Sequence, residues 1–169
     1  QHPIADAINF WIGPLQQKQD FTLNDMALEI KTTVSGEPNE IQISSLDQLH
    51  KITPKLYLMH LHINKSNDQL ALSLQDMYEK VISICEEDTG LKNEFINKIS
   101  SLYGRASQEQ LEEKFNFLGL ESYDVNDHFP SLTKLNAPSS VTKARYSLDP
   151  SQLSGFQLNE SFQELTAND

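Results

Sequence analysis

The chain has 169 residues, 38% of them hydrophobic, so it can bury one medium-sized core, removing roughly 70% of its unfolded surface from water. No stretch nears the ~20 apolar residues of a membrane span, there is no basic-then-apolar leader, and the single Cys85 cannot form an internal disulfide, which together predict a soluble, cytoplasmic protein. The net charge of −11 is uneven: residues 1–65 hold seven acids and five lysines, 66–124 hold twelve acids and five bases, and 125–169 hold five acids and three bases.

Ile4, Ala7, Ile8, Trp11 and Ile12 recur at helical spacing, and Gly13-Pro14 stops that helix. A short strand or turn ending at Phe21 and a connection over 22–25 lead into a strand over 27–34. Residues 35–39 read as a turn or hairpin connection, 40–44 as the next strand, and Ser45 as the cap of a short helix through Leu46, Gln48 and Leu49. A further strand over 55–63 completes an order expected of a mixed sheet with helices packed on it. Beyond Asn67, an amphipathic run from Leu70 to Cys85 closes at Asp88-Thr89-Gly90, and a second helix carries Phe95, Ile96, Ile99, Leu102 and Tyr103 to Gly104. Ser107 opens a short third helix over 107–114. Strands follow over 115–125 and 144–148, Asp149-Pro150-Ser151 opens a last helical turn, and 159–169 is expected to fray.

The chemistry concentrates in the 27–34 strand. Glu29 and Lys31 project from one face, their Cα atoms about 6.6 Å apart at roughly 3.3 Å of rise per residue, while Leu28, Ile30 and Val34 line the other. Two charges on one side of a core strand are costly unless metal, substrate or water meets them. The plainer reading is an exposed cross-strand ion pair worth under about 1 kcal/mol. A site needs a second carboxylate, and Asp20 and Asp25 are the candidates. Asp20 is preferred, because antiparallel pairing brings it beside Glu29, whereas Asp25 sits in an Asn-Asp turn where an aspartate caps its own backbone. Asp20, Glu29 and the carbonyl of Ile30 would supply hard oxygen ligands for Mg²⁺, or Mn²⁺ in its place, and Lys31 would orient or deprotonate a water.

One Asp, a gap, then Glu-x-Lys is the pattern of the PD-(D/E)XK phosphodiesterases, and the chain resembles one branch of them more widely, the bacterial PD-(D/E)XK motif family of restriction or phage-defence loci. The matching pieces run in order as Trp11-Ile12-Gly13-Pro14, Asp20-Phe21, Leu28-Glu29-Ile30-Lys31-Thr32-Thr33 and Ile43-Ser44-Ser45-Leu46-Asp47-Gln48-Leu49. Leu56-Tyr57-Leu58, Phe129-Pro130-Ser131-Leu132 and Tyr146-Ser147-Leu148-Asp149 follow. The resemblance implies a metal-dependent nuclease fold with Asp20, Glu29 and Lys31 in the catalytic places. Proteins of this branch look longer, with an upstream helix bearing a Gly-Glu pair, so a chain beginning at Gln1 is expected to be a fragment.

Other features carry weaker signals. Gln48, following the Glu-x-Lys strand, is positioned either to hydrogen-bond a metal water or phosphate or simply to pack beside Leu49. His60 and His62 share a strand face and could chelate zinc. With Leu56 and Leu58 on the same face and no cysteine or third histidine nearby in sequence, they read instead as partly buried or strand-tip histidines. His128 reads as structural and Cys85 as a buried core thiol. No phosphate-cradling glycine loop, Gly-x-Ser-x-Gly or Cys-x-x-Cys occurs. Lys51, Lys55 and Lys65, and separately Lys134, Lys143 and Arg145, form modest basic groups that suit DNA, while most of the negative charge falls on the helices.

The expected architecture is α/β: a restriction-endonuclease-like mixed sheet flanked by helices, with extra helices and a small C-terminal β part. Residues 1–66 form the catalytic-type core, 67–157 the helical and β remainder of the same domain, and 158–169 a flexible tail. The expected activity is Mg²⁺-dependent DNA cleavage in a restriction or phage-defence system. The alternative is a catalytically inactive nuclease-like subunit, docking onto partner proteins of the same operon through its acidic helices.

Overall fold

Helix α1 (Pro3–Phe10) ends before Trp11 and Ile12, which its spacing includes, because Trp11 bridges to Phe21 and Ile12 N donates to Asp20 O; a 3-10 turn (Gly13–Leu15) follows. The structure, a computed structural model, describes residues 3–15, 18–104 and 106–159; residues 160–169, most of the expected tail, lie outside them. β1 (Phe21–Leu23) and β2 (Met26–Val34) form an antiparallel hairpin with Leu23 opposite Met26. The two turn residues between are Asn24 and Asp25, and Asn24 takes a positive φ of 37°, the left-handed backbone that tight hairpins need and asparagine tolerates.

β3 (Ile41–Ile43) is a strand, as its alternation predicts, and of the two connections expected over 35–39 the turn forms and the hairpin does not. β2 pairs instead in parallel with β4 (Lys55–Lys65). The helix expected over 46–49 is also replaced, by consecutive turns. Ser45 Oγ accepts from Asp47 N and Gln48 Oε1 from Ser44 N, at 3.3 and 2.7 Å, so these side chains satisfy turn amides rather than nucleate a helix.

The helical run expected from Leu70 begins later, because Leu72–Ser73 forms β5. α2 (Leu74–Ile84) starts there through a reciprocal capping box between Ser73 and Asp76. α3 (Thr89–Tyr103) takes in Thr89 and Gly90, which the sequence reads as the close of the preceding helix, and Ser107 caps α4 (Gln108–Glu112) as predicted. β6 (Lys114–Asp124) is antiparallel to both β4 and β5. The main sheet therefore runs β1-β2-β4-β6-β5 and draws on residues well beyond 66. The small β part is a separate ribbon of β3 with β7 (Tyr146–Leu148), followed by 3-10 turns at Pro150–Gln152 and Ser154–Phe156, the first capped by Asp149. Leu158 N still donates to Ser122 O of β6, at 2.8 Å.

Three cores result. Ala27, Leu56, Leu58, Tyr123 and Val125 of the sheet pack with Ile41, Ile43, Leu148 and Leu153, so the ribbon and closing turns cover one sheet face. Met26, Leu28 and Met59 gather Phe21, Leu23 and Ile30 on the other. Ile8, Cys85 and Phe95 join the helices, with Trp11 and Tyr78 against them. Lys98, with its side chain only 10% exposed, ties α3 to α1: its Nζ donates to Ile8 O at 2.6 Å, where the helix has carbonyls left over.

Candidate active site

Alternation along β2 puts Ala27, Glu29, Lys31 and Thr33 on one face, and the parallel register sets Leu58, His60 and His62 beside the last three. In the antiparallel register of β4 and β6, Tyr123 and Glu121 stand opposite Leu58 and His60. The ribbon makes the near end of this face apolar. Its continuation is a polar strip of seven side chains: Glu29, Lys31, Thr33, His60, His62, Glu121 and Tyr123.

Asp20 enters from the strand before. Its N donates to Leu28 O at 3.0 Å and its Oδ2 accepts from Ile30 N at 2.8 Å, so Asp20 is bonded on both sides of Glu29. Three upstream groups hold it there. Ile12 N and Gly13 N both donate to Asp20 O, at 2.8 and 2.9 Å, and Trp11 stacks on Phe21 with ring centroids 6.4 Å apart. The Trp-x-Gly-Pro piece thus acts as a clamp on the aspartate. Gly13 is required for a second reason: a Cβ there would lie 2.9 Å from Asp20 Oδ1, in the space the carboxylate occupies.

Glu29 is 2% exposed, and Lys31 Nζ reaches its Oε1 at 2.7 Å. Burial pushes the Glu29 carboxyl up to about 7 although Lys31 pulls the other way, and the nearby Asp20 charge adds to the rise. Desolvation thus outweighs the single ammonium partner, which is the situation in which a further cation is favoured. The structure therefore brings together Asp20, Glu29 and Lys31. Asp25 is elsewhere: its side chain meets Lys55 at 3.8 Å and its carbonyl accepts from Lys55 N at 2.9 Å, which fixes the start of the β2–β4 pairing.

Gln48 is half-buried in the 46–49 turns, with its Oε1 engaged by Ser44 N. The sequence reading missed the residue that holds this turn in place. Gln19, 1% exposed, aims Nε2 at the carbonyls of Asp47, Gln48 and His50, at 3.3, 3.3 and 3.1 Å. A glutamine in a polar loop gives no local sign of such burial. Glu121 and Tyr123 were missed for a related reason: their place on the strip depends on a strand pairing across some 60 residues of chain. Glu121 Oε2 accepts from Tyr123 OH at 3.0 Å and lies 3.2 Å from His62 Nε2. Burial works to raise the Glu121 pKa, but these hydrogen bonds together outweigh it and the pKa is lowered.

Of the two basic groups, Lys51, Lys55, Lys65 and Lys134 are each within ion-pair distance of an acid (Asp127, Asp25, Glu113 and Asp47), while Lys143 and Arg145 are exposed.

A five-stranded mixed sheet with flanking helices and an acid-x-lysine strand inside it, between β1 and β4, is a restriction-endonuclease-like α/β fold. The family model described as "Putative PD-(D/E)XK family member, (DUF4420)" matches residues 1–151, and the chain belongs to that nuclease-like family. No curated protein and no solved structure matches the chain. Among the described residues, no helix is long and apolar enough to cross a membrane.

Proposed function

We propose that this domain hydrolyses phosphodiester bonds in DNA with a divalent metal ion, Mg²⁺ by preference and Mn²⁺ as a substitute, as a cytoplasmic enzyme of a bacterial restriction or phage-defence system. The observation that carries the reading is Glu29: a desolvated carboxyl raised to about 7, bracketed by Asp20 and already holding Lys31. A structural ion pair gains nothing from a second carboxylate beside it, whereas a cation site requires one. The residues fit the ion: Asp20 and Glu29 offer carboxylate oxygens, the Ile30 carbonyl is a third candidate, and Gly13 keeps the space around Asp20 Oδ1 clear of a Cβ. When bound, the ion would polarise the phosphate and lower the pKa of a water.

The chain's own groups do the rest. Lys31, fixed by Glu29, holds the attacking water in line and offsets charge gathering on the phosphoryl oxygens. Gln48 has its side-chain oxygen committed to Ser44, so its contribution is a donated hydrogen bond from Nε2 to phosphate. The test is plasmid cleavage in Mg²⁺ by the chain and by its Lys31→Ala variant. Cleavage that fails or falls at least about a hundredfold in the variant supports the role, and equal rates remove it.

A second reading is favoured by one observation: four of the lysines that would meet phosphate are paired with acids. In this reading the chain is an inactive nuclease-like subunit that docks onto a partner protein of its operon through its acidic helices. Tight partner binding without divalent-metal binding at Asp20 would select it.

A further inference from the structure

We propose that His60, His62 and Glu121 form a second cation site on the same sheet face, suited to a borderline transition metal such as Zn²⁺ rather than to Mg²⁺. The histidine pair lacks a third ligand in its own stretch of sequence, and the fold supplies one from 59 residues further on. Lys31, His60 and Glu121 are consecutive partners across β2, β4 and β6, so the carboxylate arrives level with His60 and on its side of the sheet.

The spacing fits. Glu121 Oε2 lies 3.6 Å from His60 Nδ1 and 3.2 Å from His62 Nε2, and one ligand atom from each of the three residues falls within 4.8 Å of the others. Bonds of 2.0–2.1 Å at tetrahedral angles separate ligand atoms by roughly 3.3 Å, between the two shorter distances. The imidazole rings already lean together, with centroids 4.1 Å apart. The β4–β6 register shifts between His62 and Ile63, an irregularity of the kind that re-aims a side chain out of the regular pleat.

The second observation is an orphaned atom. His60 is 0% exposed, and its Nδ1 has no hydrogen-bond partner among the described residues. The Thr33 hydroxyl lies 3.2 Å from Glu40 O, which can only accept, and 2.8 Å from His60 Nε2. With the hydroxyl proton on the carbonyl, Oγ1 accepts from Nε2–H and the ring proton is on Nε2, the tautomer that frees Nδ1 for a metal. Nδ1 is then left with a bare lone pair facing a carboxylate oxygen across 3.6 Å. Two lone pairs in that arrangement repel unless a cation sits between them. A metal-ligating histidine whose other nitrogen is fixed by a hydroxyl–carbonyl relay is a common outer-shell arrangement.

The donor set determines the metal class. Two imidazoles and one carboxylate suit Zn²⁺ and its neighbours, whereas Mg²⁺ takes oxygen ligands. Binding would displace the proton that His62 Nε2 shares with Glu121. The His62 and Glu121 side chains are 27% and 37% exposed, so a water can complete the shell from the solvent side.

The test is calorimetric titration of Zn²⁺ into the full chain carrying Asp20→Asn, which silences the oxygen site, with Co²⁺ absorption in the visible as a second readout. Saturable binding of one ion is expected, weakened at least about tenfold by adding His62→Ala or Glu121→Gln and about tenfold by adding Thr33→Val. Both ligand positions are partly exposed, so these variants keep the fold, which far-UV circular dichroism verifies. Absence of saturable Zn²⁺ binding in the Asp20→Asn chain would overturn the site, as would binding that is unchanged when His62 and Glu121 are each replaced. Neither result depends on whether the chain cuts DNA.

Discussion

Gly13 lies against Asp20 so closely that the smallest side chain would put a carbon 2.9 Å from Asp20 Oδ1. The atom in the way is the end of a side chain, but that side chain cannot swing freely, because its Oδ2 is bonded to Ile30 N at 2.8 Å. Gly13→Ala is therefore expected to cost only about 1 kcal/mol of stability, the scale of one strained hydrogen bond, while displacing the carboxylate. Divalent-metal affinity should fall about tenfold or more, while the urea midpoint drops by about 0.5 M at an m-value of about 2 kcal/mol per molar. A variant that lost stability but kept metal affinity would show that the glycine serves the fold instead.

Glu29 makes stability depend on pH in a direction unusual for a carboxyl group. Its folded pKa of about 7 lies above the ordinary 4.5, so between those values the native state keeps a proton that the unfolded chain has released. Its contribution is fully present below about 4.5 and is lost as pH rises through 7, a change of about 3 kcal/mol at 1.36 kcal/mol per unit. His60, with its lowered pKa, contributes in the opposite sense as pH falls, so the informative quantity is a difference. In metal-free buffer, Glu29→Gln should gain stability over the wild type at pH 8 relative to pH 5, by urea denaturation. A gap independent of pH would mean that Glu29 is ionised throughout.

Replacing Gln19 tests what supports the turn beside the site. Its amide meets three backbone carbonyls of residues 47–50, of which Asp47 O also accepts from His50 N. Gln19→Ala should cost about 1–3 kcal/mol and raise amide hydrogen exchange over residues 46–50. Equal protection there in both proteins would show that the turn holds itself.

Cys85, 1% exposed and with its thiol pushed up by burial, should resist an aromatic disulfide reagent in the native protein and react at once in denaturant. Fast native labelling would place it outside the helical core.

Local signals in the sequence were sufficient for much of the fold. The polar face of Glu29 and Lys31, the end of the first helix before Gly13-Pro14, the serine at position 107 that caps a helix, and the preference for Asp20 over Asp25 each depend on neighbours a few residues away. Strand pairing does not. The three residues of β3 alternate just as they would in a hairpin with β2, and nothing within them says that their partner is Tyr146–Leu148. The same holds for His60, whose neighbours Lys31 and Glu121 come from two other strands. The turn at 46–49 failed as a helix because side chains of Ser45 and Gln48 bond nearby amides, a competition that apolar spacing alone does not register.

Whether Asp20 and Glu29 share one divalent cation is tested most directly by calorimetric titration of Mg²⁺, repeated with Mn²⁺, into the full chain and its Asp20→Asn and Glu29→Gln variants. Saturable binding is predicted in the wild type and a loss of at least about tenfold in each variant. No binding by the wild type, or full affinity after either substitution, would contradict a shared site.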